Sequence, residues 1–226
     1  MSGDELDRAR EEVAATSREL ARQRLVLGTA GNVSVRVGDL VALTATGVTL
    51  ATATADDVTV VGLDGRHHSG RLQPTSELGI HLGVYRDSDA TAVVHAHSEA
   101  AVALSLVTDE LPVVHYQQLL LGGKLTLVPF APFGTEELTA ATRAALRHTR
   151  AAILAHHGTV AVGSSLQQAL GNAVLLEWLC RVYLRAAAVA TPRPMTDEQL
   201  QAVVEEAVRT GYGQTRPVDH GRTAES

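Results

Sequence analysis

The sequence predicts an α/β protein of three layers, in which a central mixed β-sheet lies between helices on both faces. β-type runs joined by tight turns come early in the chain, and strand-like and helical segments alternate in its middle. The last third of the chain is helical. Because the 226 residues contain no linker-like segment, we expect a single domain with a substantial core.

The N-terminal part of the chain predicts a helix followed by β-hairpins. Apolar residues at helical spacing indicate a helix over residues 4–26, which Gly28 is placed to end. Residues 32–46 form two β-type runs on either side of a Gly-Asp turn, a pattern typical of a hairpin. A third β-type run, over 58–63, leads into an Asp-Gly turn.

Helical and strand-like patterns alternate beyond these hairpins. They predict, in chain order, helix 76–86, strand 91–97, helix 98–107, strand 124–130, helix 136–149 and strand 151–157. A broad apolar face then predicts a helix over 165–190, and a Thr-Pro-Arg-Pro segment separates it from a shorter helix over 197–209. We expect the tail from about residue 213 to be mobile.

The composition excludes several classes of protein. A formal net charge of −6 argues against a general nucleic-acid binder, and no apolar run approaches the ~18 residues that a membrane span requires. The polar, acidic N-terminus is unlike a secretory signal, and the lone Cys180 fits a reducing compartment. We therefore expect a cytoplasmic protein whose partners include neither nucleic acid nor membranes.

Two histidine motifs and a carboxylate predict a metal site. His95 and His97 close an apolar run, and residues two apart on a strand point to the same face. His156 and His157 end a second such run, where adjacent residues face opposite ways, so one of the two can join the site. Glu77 precedes a helical pattern and completes a set for which zinc is the natural candidate. Each motif alone has a structural explanation, and it is their joint placement at element ends that favours a metal.

Three turns of small residues predict an anion site beside this metal. The first, over 28–34, has two glycines three apart, and Asn32 and Ser34 add side-chain donors. The second spans 44–47, and the third, 74–76, supplies hydroxyl groups directly before Glu77. The first turn is explained equally well as the loop that ends a helix. Together the three turns indicate a phosphate cradle next to a Lewis acid.

These motifs resemble those of the class II aldolase/adducin family in order and spacing, over nearly the whole chain. The matching segments are Gly-Thr-Ala-Gly-Asn-Val-Ser, Thr-Gly, Pro-Thr-Ser-Glu, His-Ala-His, His-Tyr, Phe-Gly-Thr and His-His-Gly. The resemblance implies a mainly antiparallel sheet between helices and one zinc ion per subunit, with Mn²⁺ or Co²⁺ as alternatives. It also implies a homotetramer of fourfold symmetry whose active sites lie at subunit contacts.

The resemblance further assigns roles to individual residues. The metal ligands would be Glu77, which would also be the base, and three imidazoles, those of His95, His97 and His157. The phosphate would be held by a set of small and polar residues, namely the Gly31 backbone, Asn32, Thr46, Gly47, Thr75 and Ser76. At Thr75 serine is commoner in the family, but the hydroxyl group is kept.

Two tyrosines and a further histidine complete these expectations. Tyr116 matches a tyrosine that donates a proton near the aldehyde oxygen. Tyr212 matches a catalytic tyrosine of the C-terminal tail only after a shift of one residue. His81 shares a helical face with Glu77, so we expect it to support the site rather than to bind the metal.

The implied reaction is the reversible cleavage of a 2-ketose 1-phosphate into dihydroxyacetone phosphate and an aldehyde. In that reaction the metal stabilises an enediolate, Glu77 exchanges a proton at C3, and Tyr116 exchanges one with the aldehyde. The alternatives within the family are a pentulose-5-phosphate 4-epimerase and a decarboxylase or dehydratase of sugar-acid phosphates. A metallohydrolase would need no phosphate cradle, and an adducin-like interaction domain would not need the four metal ligands.

Overall fold

The computed structural model describes residues 3–213 of the chain. By its internal contacts the chain divides into one compact unit that extends to Pro194 and a second that begins at Met195. The described residues of the second unit end at Gly213 and contain one helix, Asp197–Thr210. The prediction of a mobile tail therefore falls on residues that lie outside the described part, and the single domain remains a prediction.

A seven-stranded sheet forms the centre of the first unit. The strands of this unit are β1 (Asn32–Val37), β2 (Leu40–Thr44), β3 (Val58–Gly62), β4 (His67–Ser69), β5 (Ala92–Ala96), β6 (Glu110–Leu111), β7 (Leu125–Thr126), β8 (Ala151–Leu154) and β9 (Gly158–Gly163). The large sheet has the order β4-β3-β2-β1-β5-β9-β8, and each neighbouring pair in it is antiparallel. Strands β6 and β7 pair separately, and an isolated bridge between Val128 and Leu154 is parallel.

Helices cover both faces of this sheet. They are α1 (Gly3–Arg22), α2 (Leu78–Asp87), α3 (Glu99–Leu104), α4 (Glu136–Leu146) and α5 (Leu166–Ala187). Because side chains alternate along a strand, neighbouring residues such as Val93 and Val94 belong to different cores. One core packs the sheet against α1, α3 and α5, and the other packs it against α2 and α4. The predicted three-layer α/β architecture with a mainly antiparallel sheet is confirmed.

Several predicted boundaries differ from the structure. The predicted strand 151–157 stops at Leu154, and the next three residues form a turn in which His156 has a φ of +59°. Strand β9 then follows at once, although no strand was predicted there. Short apolar runs of this kind do not distinguish strand from helix by periodicity, and a turn of two histidines carries no usual turn signal. Of the predicted strand 124–130, only the two residues of β7 pair regularly.

The helices of the described part include none with the length and apolar content needed to cross a bilayer.

Candidate metal centre and active site

The four predicted metal ligands converge at one edge of the sheet. His95 lies on β5, His97 follows the end of that strand, and His157 lies in the turn between β8 and β9. Glu77 lies at the residue directly before α2. One candidate ligand atom from each of these four side chains lies within 4.8 Å of every other, so the predicted cluster forms within a single chain.

The three imidazoles and the carboxylate surround a common point. Each pair of rings has centroids 4.8 or 4.9 Å apart and planes inclined by 71° to 79°. The Nε2 atoms of His95 and His97 are 3.0 Å apart. Glu77 places Oε2 3.0 Å from Nε2 of His95 and Oε1 3.4 Å from Nε2 of His157. All three imidazoles therefore direct Nε2 inward.

The hydrogen bonds around the cluster fit a bound cation. Nδ1 of His95 donates to the backbone oxygen of Thr159 at 2.9 Å, so the lone pair with which this ring could bind a metal is that of Nε2. That lone pair faces both the Nε2 of His97 and the carboxylate of Glu77. Oε1 of Glu77 is buried and accepts no hydrogen bond from any described residue. A divalent cation among three nitrogens and an oxygen would satisfy all these groups, and this donor set suits zinc.

The ionisation states are those that metal binding requires. Burial alone would raise the pKa of Glu77, but the hydrogen bond and charge of His95, with contributions from Asn32 and His157, lower it to about 2. Burial lowers the pKa of His97 to about 4 and lowers that of His157 as well. At neutral pH Glu77 is thus a carboxylate and the imidazoles of His97 and His157 are neutral, which are the forms in which these side chains bind a metal.

A cavity of about 420 Å³ opens beside the cluster. All six residues that the resemblance assigns to phosphate binding line it: Gly31, Asn32, Thr46, Gly47, Thr75 and Ser76. Thr46, Gly47 and Ser76 are exposed, whereas Asn32 and Thr75 are buried. The three small-residue turns therefore meet in one cavity with the metal ligands, as expected. Whether these residues bind phosphate remains a prediction.

The two histidines of the second motif occupy different positions. His157 joins the cluster, whereas His156 lines the cavity with its ring centroid 6.2 Å from that of Phe130. The backbone N–H of His156 donates to Oγ of Ser105 at 3.0 Å, which holds the turn. One histidine of the pair joins the site, as predicted, but a turn rather than the alternation of a strand separates the two side chains.

Of the two predicted catalytic tyrosines, Tyr116 belongs to the first unit and does not line this cavity. Tyr116 begins a 3₁₀ helix, Tyr116–Leu121, and its ring stacks on that of His115 with centroids 4.4 Å apart. It is half-buried and is not among the residues that line the cavity. Tyr212 belongs to the second unit and is 58% exposed. The roles of both remain predictions.

An aromatic wall of the cavity was missed from the sequence. Phe130 and Phe133 are 62% and 70% exposed and line the cavity together with Ala131 and Pro132. They are the two phenylalanines of the whole chain, and each directly follows a proline in one short segment. Exposed aromatic residues at a cavity usually contact a ligand or partner. The clustering of the two phenylalanines is the sequence signal for this wall, but the family resemblance includes only the Phe-Gly-Thr segment.

His81 lies beside the site in contact with Asn32 and outside the metal cluster, and its predicted supporting role remains a prediction. It is fully buried, and its Nε2 lies 2.5 Å from Oδ1 of Asn32, which in turn donates from Nδ2 to Oε2 of Glu77 at 3.0 Å. It is absent from the group of metal-ligating side chains found in the described residues.

Comparison with known proteins places this site in a family. The family model described as "Class II Aldolase and Adducin N-terminal domain" matches residues 11–184. The chain belongs to this family. It is 36% identical over 204 residues to the L-fuculose phosphate aldolase of Escherichia coli K12, which covers 89% of this chain and 94% of the relative. It is therefore an enzyme, a class II aldehyde-lyase of a family that uses a divalent metal.

Other relatives show both the shared fold and the range of substrates. The 5-deoxy-D-ribulose 1-phosphate aldolase of Bacillus thuringiensis serovar kurstaki is 31% identical over 212 residues, 92% of this chain and 99% of the relative. A solved structure of an L-fuculose 1-phosphate aldolase superposes with a TM-score of 0.84 at 28% identity, covering 91% of this chain and 97% of that one. The fold and the aldolase class are thus common to relatives that differ in the sugar.

Proposed function

We propose that the protein is a zinc-dependent aldolase that reversibly cleaves a 2-ketose 1-phosphate of the L-fuculose 1-phosphate type. The products would be dihydroxyacetone phosphate and a short aldehyde. The observation that carries this proposal is the single cavity in which the Glu77 and histidine cluster lies beside three turns rich in hydrogen-bond donors. A phosphorylated ketose needs both parts in one cavity, because its phosphate and its reacting carbons are a few bonds apart.

The chain's own residues divide the work of this reaction. The hydroxyl groups of Thr46, Thr75 and Ser76 and the amide of Asn32 would bind the phosphate and fix the orientation of the sugar. A divalent cation held by the cluster would supply Lewis-acid stabilisation of the negative charge that develops on the substrate. Glu77, at the boundary between the cluster and the cavity, would hold or accept the proton at C3.

The proton at the aldehyde oxygen calls for a group from outside this cavity. Tyr116 does not line the cavity of its own chain, and the resemblance assigns it a role at the aldehyde end. We therefore propose a homotetramer in which Tyr116 of one subunit acts at the cavity of the next. Light scattering should return four times the 23.8 kDa chain mass, and a monomer at micromolar concentration would contradict the shared site.

The apolar wall supports a second substrate within the same reaction class. Phe130 and Phe133 line the cavity and would offer the aldehyde end an apolar surface rather than hydrogen-bond partners. Both candidate sugars leave an aldehyde that ends in a methyl group, but the aldehyde from a 5-deoxypentulose 1-phosphate, the kind of substrate named for the Bacillus thuringiensis relative, lacks the hydroxyl group beside the carbonyl that the L-fuculose 1-phosphate product carries. The aldehyde without this hydroxyl group would suit a wall that offers no hydrogen-bond partners. Both candidate sugars yield dihydroxyacetone phosphate, so they differ only in the aldehyde.

A panel of sugar phosphates tests the proposal. The zinc-loaded protein is incubated with L-fuculose 1-phosphate, 5-deoxy-D-ribulose 1-phosphate and ribulose 5-phosphate, and release of dihydroxyacetone phosphate is followed. We expect release from at least one of the two ketose 1-phosphates. No release from either, with epimerisation of ribulose 5-phosphate instead, would favour the 4-epimerase alternative. Loading the protein with Mn²⁺ or Co²⁺ in parallel tests the choice of zinc.

We also propose a cytoplasmic location, which the buried lone Cys180 supports because a reduced thiol fits a reducing compartment.

A further inference from the structure

A ladder of buried polar side chains runs from the metal site into the layer between the sheet and α2. Asn32 and Ser34 lie two residues apart on β1, and Glu77, His81 and Tyr85 follow one another at intervals of four on α2 and the residue before it. Two strand residues rise about 6.6 Å and four helical residues about 6 Å, so the two rows match in spacing. The five side chains therefore interleave, alternating between helix and strand.

Four hydrogen bonds connect the five side chains of the ladder in series. Asn32 Nδ2 lies 3.0 Å from Oε2 of Glu77, and Asn32 Oδ1 lies 2.5 Å from Nε2 of His81. Nδ1 of His81 lies 2.6 Å from the hydroxyl of Ser34, and that hydroxyl lies 2.6 Å from the hydroxyl of Tyr85. All five residues are buried, with exposed fractions of 6% or less. Each rung therefore replaces a hydrogen bond to water that these groups have lost.

The carboxylate at one end fixes the direction of every bond. The carboxylate of Glu77 only accepts, so the amide NH₂ of Asn32 must face it, and Oδ1 must face His81. Nε2 of His81 then has to carry the proton, which leaves Nδ1 of the neutral ring as an acceptor for Ser34. Having donated to His81, the Ser34 hydroxyl accepts from Tyr85. Burial lowers the pKa of His81 to about 3 and raises that of Tyr85, so both keep these states at neutral pH.

We propose that His81 is a positioning residue that, held by Ser34 and Tyr85, sets the direction in which the Asn32 amide faces. With Oδ1 bound to His81, the amide turns both of its N–H groups toward Glu77 and the cavity. One N–H holds the metal-binding carboxylate and the other is left for an anion, a part that rests on the proposed phosphate site. Without the His81 donor the amide can rotate and place Oδ1 against the carboxylate, where two acceptors repel each other.

Affinities for zinc and for inorganic phosphate test this proposal. His81→Leu removes the donor at similar volume, and we expect it to weaken zinc binding by about 10-fold to 100-fold, the usual effect of losing a group that orients a metal ligand. Binding of inorganic phosphate to the zinc-loaded protein should weaken in parallel. His81→Gln, whose amide can donate to Asn32 and accept from Ser34, should recover most of both losses.

A matched control separates this effect from a general loss of buried polarity. Thr142 is buried in α4 on the same side of the sheet, and its hydroxyl has no hydrogen-bond partner within residues 3–213. Thr142→Val should leave both affinities unchanged. A folded His81→Leu protein with unchanged zinc and phosphate affinities would overturn the proposal.

The tautomer of His81 provides a readout on the unmutated protein. Nitrogen NMR of the imidazole should show the proton on Nε2 of His81, and a proton on Nδ1 would overturn the ladder whatever the variants do. If His81→Leu does not fold, Ser34→Ala takes its place and should weaken zinc binding in the same direction, and unchanged affinity there would also refute the proposal.

The outcomes also distinguish this proposal from the proposed function. If zinc affinity responds to His81 but inorganic phosphate binds to none of the proteins, the positioning of Glu77 is supported and the phosphate site falls. If the unmutated protein cleaves ketose 1-phosphates while His81→Leu matches it in both affinities, the aldolase function stands and the positioning role falls.

Discussion

Glu177 should be a large single contributor to stability near the metal site. It lies on α5 with 4% exposure, and its two carboxylate oxygens accept from the backbone N–H groups of Ala100 and Ala101 at 3.0 and 3.1 Å. Both N–H groups belong to the first turn of α3, where backbone donors have no acceptor within the helix itself. This helix begins two residues after His97. Glu177 thus ties the segment that follows a metal ligand to the long C-terminal helix of the first unit.

Glu177→Gln keeps the shape but gives one of the two buried N–H groups a donor instead of an acceptor. A hydrogen bond to a charged group contributes roughly 1.5–3 kcal/mol, so we expect a loss of about 2–3 kcal/mol in the free energy of unfolding. For a chain of this size that corresponds to a fall of about 4–12 °C in Tm. Calorimetry at a fixed zinc concentration measures it, because bound metal itself shifts Tm.

Arg181 provides the control for this prediction. Its guanidinium lies 3.2 Å from Oε1 of Glu177, but its side chain is 51% exposed, so the pair is screened by solvent. Arg181→Met should therefore cost less than about 1 kcal/mol. If Glu177→Gln melts with the unmutated protein, or if both variants lose the same stability, the backbone N–H groups of α3 do not depend on this carboxylate and the reasoning is refuted.

Three further predictions concern the metal site. His97→Ala and His157→Ala should lose zinc, while His156→Ala should keep it; metal analysis that shows full occupancy in the first two would remove the site as drawn. Glu77→Gln should remain folded but no longer exchange a proton of dihydroxyacetone phosphate with heavy water, an exchange that the unmutated enzyme should catalyse without an aldehyde. In the metal-free protein the pKa of Glu77 is lowered from 4.5 to about 2, so the folded state gains stability that is lost as the pH falls below 4.5. The pKa of His97 is lowered from 6.5 to about 4, so the unfolded chain binds a proton first and stability already falls as the pH drops from 6.5 to 4. Urea midpoints should therefore fall steadily from pH 7 to pH 4, and a flat profile would contradict these ionisation states.

The metal ligands were predictable because each lies in a short motif whose local geometry is simple. His95 and His97 are two apart at a strand end, and that spacing alone puts them on one face. The choice of His157 over His156 was not available from alternation, because the backbone turns there and His156 takes a left-handed conformation. That choice came from the family resemblance, and the structure agrees with it.

What the sequence did not disclose depends on contacts between distant elements. The ladder joins residues of β1 to residues of α2 more than forty positions away, as in the contact between Asn32 and Glu77. The spacing of two residues on the strand and of four on the helix is visible in the sequence. No local pattern, however, indicates that the strand row and the helix row face each other. The contact of Glu177 with the start of α3 is of the same kind, since it joins residues 76 and 77 positions apart.

The glycines beside the metal ligands have a steric role that their motifs do not reveal. A Cβ atom at Gly31, where φ is +85°, would lie 2.8 Å from the backbone oxygen of His95, and one at Gly158 would collide with the backbone oxygen of Ala96. Gly31 directly precedes β1 and Gly158 begins β9, the two strands that flank β5. The ligand strand is therefore approached closely from both sides at the two peptide units between His95 and His97. A side chain at either glycine would push this backbone aside and displace both imidazoles, so we infer that these positions serve the geometry of the metal site before any contact with an anion.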